Sequence, residues 1–227
     1  MTKYYELRRR NKDEIGSLYS LNTSGDISQL NEIKKSIENE SLPKESEILM
    51  EIDAKTGTGK KRLGDLVYWQ KGRPNAHVLI VSNRLMEFIK MLNLPAFRVY
   101  KIRTQHLDVG EYFIFHLLGD TFDLIDYSEQ IFFKKNVMND VNEGYFEKGA
   151  FLNKNDFIQR RSLLVSEKSQ TLSFDTIVYR REFDLLWGFS TLILVNELTR
   201  KKMEDQSFVL DFIEFNTYKI MYSKVIP

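Results

Sequence analysis

The feature that most restricts the fold lies at residues 78–102, where strand, helix and strand patterns follow one another without a break. Val78, Leu79, Ile80 and Val81 form a continuous apolar run, the pattern of a buried strand. Ser82 or Asn83 comes next, and either side chain can accept a hydrogen bond from the first free amides of a helix. Leu85, Phe88, Ile89 and Leu92 then recur at i, i+3, i+4 and i+7, which is one helical face. Pro95 ends the helix, because proline lacks an amide and clashes with the preceding turn. Residues 97–102 resume as a strand. Such a unit requires a sheet with a helix packed against it.

A shift of 113 positions lays residues 192–215 over this unit. Leu192 then meets Leu79, Ile193 meets Ile80, Asn196 meets Asn83 and Leu198 meets Leu85. The second helix is the poorer one, because Lys201 and Lys202 stand where Phe88 and Ile89 stood. Residues 163–168 also resemble residues 79–84. The segment between Lys168 and Phe174 is too short and too polar to repeat the helix. Residues 162–165 therefore read as a strand, paired with a strand over 176–181.

The remaining patterns extend the same architecture. Strands are expected at 4–9, 47–53, 65–69 and 111–118, with a final strand or edge tail at 218–226. A helix is expected over 27–39, stopped by Pro43. Residues 71–75 combine glycine and proline into a turn. Residues 136–156 read as irregular with a short helix. The fold class is α+β: mixed or antiparallel sheets, a few packed helices and two similar strand–helix–strand units. An N-terminal strand and helix segment over 1–64 precedes a main domain over 65–227, unless 1–227 is one continuous domain.

Composition narrows the chemistry. The chain has no cysteine, which excludes disulfides, thiolate nucleophiles and cysteine-ligated metals. Its 227 residues can bury a core without such staples. No apolar run approaches the ~20 residues of a membrane span, and the N-terminus lacks the apolar stretch of a signal peptide. A cytoplasmic protein is expected. The net charge of +1 and the short basic clusters, each interleaved with acids, argue against a nucleic-acid partner.

Four segments invite a chemical reading. Residues 55–61 suggest a phosphate-binding loop, but Ala54 occupies the first glycine position and Lys61 the hydroxyl position. The histidines, His77, His106 and His116, show no helical metal spacing, and His116 reads as a core residue. Asp123 and Asp126, with His116, make an alternative acidic site that could serve a metal-dependent hydrolase. A turn rich in aspartate explains the same residues more simply. Asp140, Glu143, Tyr145, Phe146 and Glu147 set aromatic rings among acids, a composition that suits a basic protein partner. No serine elbow is present, and no catalytic residue, metal or cofactor is assigned.

The order of these segments resembles a known family. Residues 78–84 lead into an amphipathic helix and an aromatic strand. Residues 112–118 lead into Asp123-Leu124-Ile125-Asp126-Tyr127-Ser128. Thr176-Ile177-Val178-Tyr179-Arg180 then precedes the second strand–helix segment at 192–198. Over residues 65–215 the chain looks like the immunity-protein domains of bacterial polymorphic toxin systems. It departs from their pattern at Val195, which stands where a match to Ser82 is expected. The resemblance implies a non-enzymatic cytoplasmic protein that binds and neutralises a cognate toxin. A nucleic-acid-binding accessory protein is the third reading.

Overall fold

The computed structural model describes residues 2–9, 20–22, 32, 35–39, 41, 47–49, 51–53, 64–69, 78–103, 111–118, 121–188 and 192–223. Within them the protein is mixed α+β with more strand than helix. The first strands are β1 (Tyr4–Arg9), β2 (Ser20–Asn22), β3 (Glu47–Leu49), β4 (Glu51–Asp53) and β5 (Leu66–Trp69). Next come β6 (Val78–Ser82), helix α1 (Asn83–Lys90), β7 (Phe97–Arg103) and β8 (Tyr112–Leu117). A middle stretch holds β9 (Phe133–Asn136), β10 (Asn142–Tyr145), helix α2 (Lys154–Lys168), β11 (Gln170–Ser173) and β12 (Thr176–Tyr179). The last elements are β13 (Leu185–Trp187), β14 (Ile193–Asn196), helix α3 (Glu197–Asp205), β15 (Leu210–Glu214) and β16 (Lys219–Tyr222).

The chain forms two compact units. Unit 1 combines Met1–Tyr4, Asp120–Glu182 and Glu214–Pro227; unit 2 combines Tyr5–Gly119 and Phe183–Ile213. None of the four boundaries falls at residue 64. Strands from both sides of that point share a mixed sheet of order β3-β7-β8-β6-β5-β2-β4, in which β3 runs parallel to β7 and β2 parallel to β5. A second sheet has the order β13-β14-β1-β15.

Unit 2 is built on the strand–helix–strand segment expected from the sequence. Leu85, Met86, Phe88 and Ile89 of α1 are buried against Leu79 and Val81 of β6 and Phe115 and Leu117 of β8. Leu185, Trp187, Ile193 and Val195 of the second sheet complete the same core. His116 is buried within β8, as a core histidine should be.

The echo in the second half is real, with a register one residue different from the sequence match. The N-caps are Ser82 and Asn196, a shift of 114. Ser82 Oγ accepts from the Leu85 amide at 3.2 Å, and Asn196 Oδ1 accepts from the Thr199 amide at 2.8 Å. In this register buried Leu85 and Ile89 correspond to buried Thr199 and Met203, while Phe88 corresponds to exposed Lys202. In this register Asn196, not Val195, takes the place of Ser82. An antiparallel hairpin precedes each helix, β5–β6 in one half and β13–β14 in the other.

An aspartate locks each half at the same place. Asp65 precedes β5, and Asp184 precedes β13. The Asp65 carbonyl accepts the Ser82 amide at 2.9 Å, and its carboxylate accepts the Ser82 hydroxyl at 2.7 Å. Asp184 repeats both contacts with Asn196, at 3.1 Å to the amide and 2.8 Å to the side chain. The second carboxylate oxygen of each aspartate reaches into the other half. Asp65 Oδ2 accepts the Val209 amide after α3 at 2.9 Å, and Asp184 Oδ2 accepts the Asn93 amide after α1 at 2.8 Å. Arg84 adds a bond to Asp65 at 3.0 Å and lies 4.4 Å from the Phe208 ring centre.

Unit 1 has an aromatic core. Phe132 stacks near Phe157 at 4.8 Å and Phe151 at 4.9 Å, and Phe122 meets Phe157 at 4.9 Å. Its sheets are the antiparallel β10-β9-β11 and the parallel pair β12-β16. Residues 162–165 are not a strand; they lie within α2. Asn153 caps that helix by accepting the Asp156 amide at 3.1 Å, Arg160 pairs with Asp156 at 2.8 Å, and Ser169 ends it at φ 50°. The apolar run that imitated a strand is mostly exposed there, with Leu163 and Val165 facing solvent. Short apolar runs carry no periodicity that separates the two structures. The partner of β12 is instead β16. Residues 136–156 hold the end of β9, the strand β10 and the start of α2, with turns and irregular chain between them.

The crossed aspartates should be the most sensitive polar positions of unit 2. Asp65→Ala and Asp184→Ala are each expected to lower unfolding free energy by about 2–3 kcal/mol in urea titrations, since each leaves several donors unmatched. Ser82→Ala should cost about 1 kcal/mol. Equal losses for Asp65→Ala and Ser82→Ala would reduce the aspartate to an accessory of the cap.

Candidate functional site

The site grows from the parallel pair β12–β16. Its register sets Val178 beside Met221 and Thr176 beside Lys219. Side chains alternate across a strand, so Ile177, Tyr179 and Ile220 turn into the core while Val178 and Met221 turn outward. Gln130 holds the opposite edge of β12: its side chain donates to the Thr176 carbonyl at 2.7 Å and accepts the Val178 amide at 2.8 Å. The Asp126 amide donates to the Val178 carbonyl at 2.8 Å.

The outward face is the floor of a groove of about 770 Å³ that lies wholly in unit 1. Ile131, Phe133 and Tyr145 form an apolar wall, with the Phe133 and Tyr145 rings 5.5 Å apart. Tyr145, Ile131 and Met221 are 63%, 49% and 50% exposed, so the groove presents apolar surface to solvent. Asp126, Glu129, Asp175 and Lys148 carry its charge. Lys148 pairs with Glu129 at 2.6 Å. The adjoining Gly149 has φ 74°, a conformation that suits glycine in this turn. A smaller cleft of about 430 Å³ shares Asp175 and runs beside Tyr218 and Lys219.

Asp126 is the most organised polar group of the groove. Its carboxylate accepts the Ser128 amide at 3.1 Å, the Ser128 hydroxyl at 2.6 Å and the Ser223 hydroxyl. Burial works against its charged form, but the bonds from Ser128, Ser223 and the Glu129 amide prevail and hold its pKa below the ordinary aspartate value. It therefore carries a full negative charge at neutral pH.

The residues proposed from sequence divide unevenly. Tyr145 belongs to the groove. Phe146 is half-buried, edge-on to Phe151 at 5.1 Å, with Lys134 Nζ 5.2 Å from its ring centre. Asp140 turns the β9–β10 hairpin at φ 62° and pairs with Lys135 at 2.6 Å. Glu143 accepts bonds from the Asn136 side chain at 2.8 Å and from the Gln170 side chain. Those two bonds, aided by nearby Lys134, hold its pKa low despite the opposing desolvation. Glu147 is exposed beside Lys148.

Each aspartate of the alternative acidic site has partners of its own. Asp123 faces Lys154 at 2.9 Å, and Asp126 is committed to Ser128 and Ser223. His116 belongs to unit 2, whereas both aspartates belong to unit 1. Among the described residues no three His, Asp or Glu side chains could hold a metal ion together. Residues 55–61, His77 and His106 lie outside the described residues. Among the described residues no helix is long and apolar enough to cross a membrane.

Val178, Met221, Ser223 and Asp175 were invisible as site residues in the sequence. The only signal was the alternation of 176–179 and 219–222, which shows two faces but not their pairing. No protein-family model matches the chain, and no curated protein sequence matches it.

Because folding lowers the Asp126 pKa, its charge stabilises the fold above the unfolded aspartate range, and that contribution is lost as pH falls through the folded value. The urea midpoint of Asp126→Asn should therefore lie below that of the unsubstituted protein at neutral pH. The gap should close on acidification. A gap that widens toward acid would reverse the assigned direction.

Proposed function

We propose that this chain is a cytoplasmic immunity protein that binds a cognate bacterial toxin domain and neutralises it stoichiometrically, without catalysis. The observation that carries the reading is the open apolar groove of unit 1. Exposed apolar side chains scattered singly are ordinary; Ile131, Tyr145 and Met221 gathered on one concave surface are the mark of a binding site. Asp126 is engaged with Ser128 and Ser223, and Glu129 with Lys148, in bonds that shape the groove.

The basic clusters give little support to a nucleic-acid partner. Arg160 pairs with Asp156, Arg200 with Glu204 and Lys201 with Glu197, all within one helix turn. These are solvated faces balanced by their own acids.

The reading expects a toxin domain to be encoded beside the gene, and the test begins with it. Co-expression should relieve its toxicity, and calorimetry on the purified proteins should give a one-to-one complex. Met221→Glu should weaken that complex by about tenfold or more, because it places a charge at the centre of an apolar contact. Undiminished toxicity together with no measurable complex would remove the proposal.

A further inference from the structure

We infer that the groove of unit 1 takes an extended cationic segment, in which arginine or lysine alternates with apolar side chains. The inference deepens the proposed binding function, since it names the chemistry of what the same groove receives.

The floor dictates an extended occupant. Val178 and Met221 stand side by side on the outer face of two short strands. Side chains on one face of an extended chain recur about every 7 Å, so a segment lying along the floor would send every second side chain toward Val178 and Met221. Ile131 and Tyr145 form the wall against which those apolar groups would pack.

The charge dictates its sign. The groove holds the carboxylates of Asp126, Glu129 and Asp175 against one ammonium, that of Lys148. Lys148 and Glu129 neutralise one another at 2.6 Å. The surplus is therefore negative, and it lies at both ends of β12. Asp175 immediately precedes the strand, and Asp126 is bonded beside Val178. Asp126 stays ionised because its hydroxyl and amide donors favour the charged form. Among the described residues no side chain pairs with the Asp175 carboxylate, which is exposed. Lys219 lines the neighbouring cleft, which Asp175 also borders, and is not among the residues that line this groove. An apolar floor with an anion at each end complements apolar anchors flanked by cations.

The experiment uses the full chain and three synthetic peptides. One alternates arginine with leucine, one glutamate with leucine, and one arginine with serine. Methyl NMR reports on Met221, Ile131 and Val178, and titrations give dissociation constants at low and high salt. The arginine–leucine peptide should perturb those methyls and bind at least about tenfold more tightly than either other peptide, with its affinity falling as salt rises. Asp175→Lys should weaken it by about tenfold. Its thermal melting should be unchanged, because the side chain is exposed. Equal binding of the glutamate–leucine peptide, perturbation centred elsewhere, or no binding would overturn the inference. No toxin enters this assay. Peptide binding without a toxin complex would sink the proposed function and leave the groove chemistry standing. A toxin complex indifferent to Asp175→Lys would do the opposite.

Discussion

Unit 2 depends on two aspartates that each do three jobs, one through the backbone carbonyl and two through the carboxylate. Asp65 receives the backbone and side chain of Ser82, so it fixes the residue that caps α1. It also receives the Val209 amide, which belongs to the chain leaving α3. Asp184 does the same for Asn196 and for Asn93 after α1. Each half thus orients its own helix start and holds the exit of the other helix. A hydrogen bond to a carboxylate is stronger than one between neutral groups, and an unmet buried donor is costly. The two halves are consequently specified together. The near-repetition of the geometry, with Asp, hairpin, cap and helix in the same order, describes two similar halves that clasp one another.

Much of this frame was legible. The first strand–helix–strand segment announced itself because three independent signals agreed: a buried-strand run, a helical stripe ending at Pro95, and a cap between them. Its echo was legible as a pattern but misregistered by one residue. Matching Asn83 with Asn196 was attractive as an identity, yet the physical equivalence is between caps, Ser82 and Asn196. The aspartates were not legible at all. Asp65 and Asp184 sit before strands in a chain rich in acids, and only the long-range pairing of hairpin and helix start gives them a role.

Unit 1 failed differently. In α2, Leu163 and Val165 face solvent, so burial could not impose the helical stripe that reading a sequence relies on. Capping by Asn153 and the Arg160–Asp156 pair hold the helix instead. The aromatic segment after residue 140 was singled out for exposed anchors, but its rings divide. Phe151 is buried against Phe132 and Phe157, Phe146 leans on Phe151, and Tyr145 faces outward. Strand alternation explains Tyr145, whose neighbour across the hairpin is Phe133. Composition alone could not separate the three.

The groove is where the two kinds of constraint meet. Its floor needs β12 and β16 to pair in parallel, which brings together segments with a long stretch of chain between them. Its polar end needs Asp126, whose bonds to Ser128 and Ser223 tie the turn at 126–129 to the chain just after β16. Asp126 therefore shapes the groove mouth while contributing negative charge to it. The same donors favour its charged form. They leave a negative charge at the end of an apolar floor, and on that juxtaposition of charge and apolar surface the proposed binding rests.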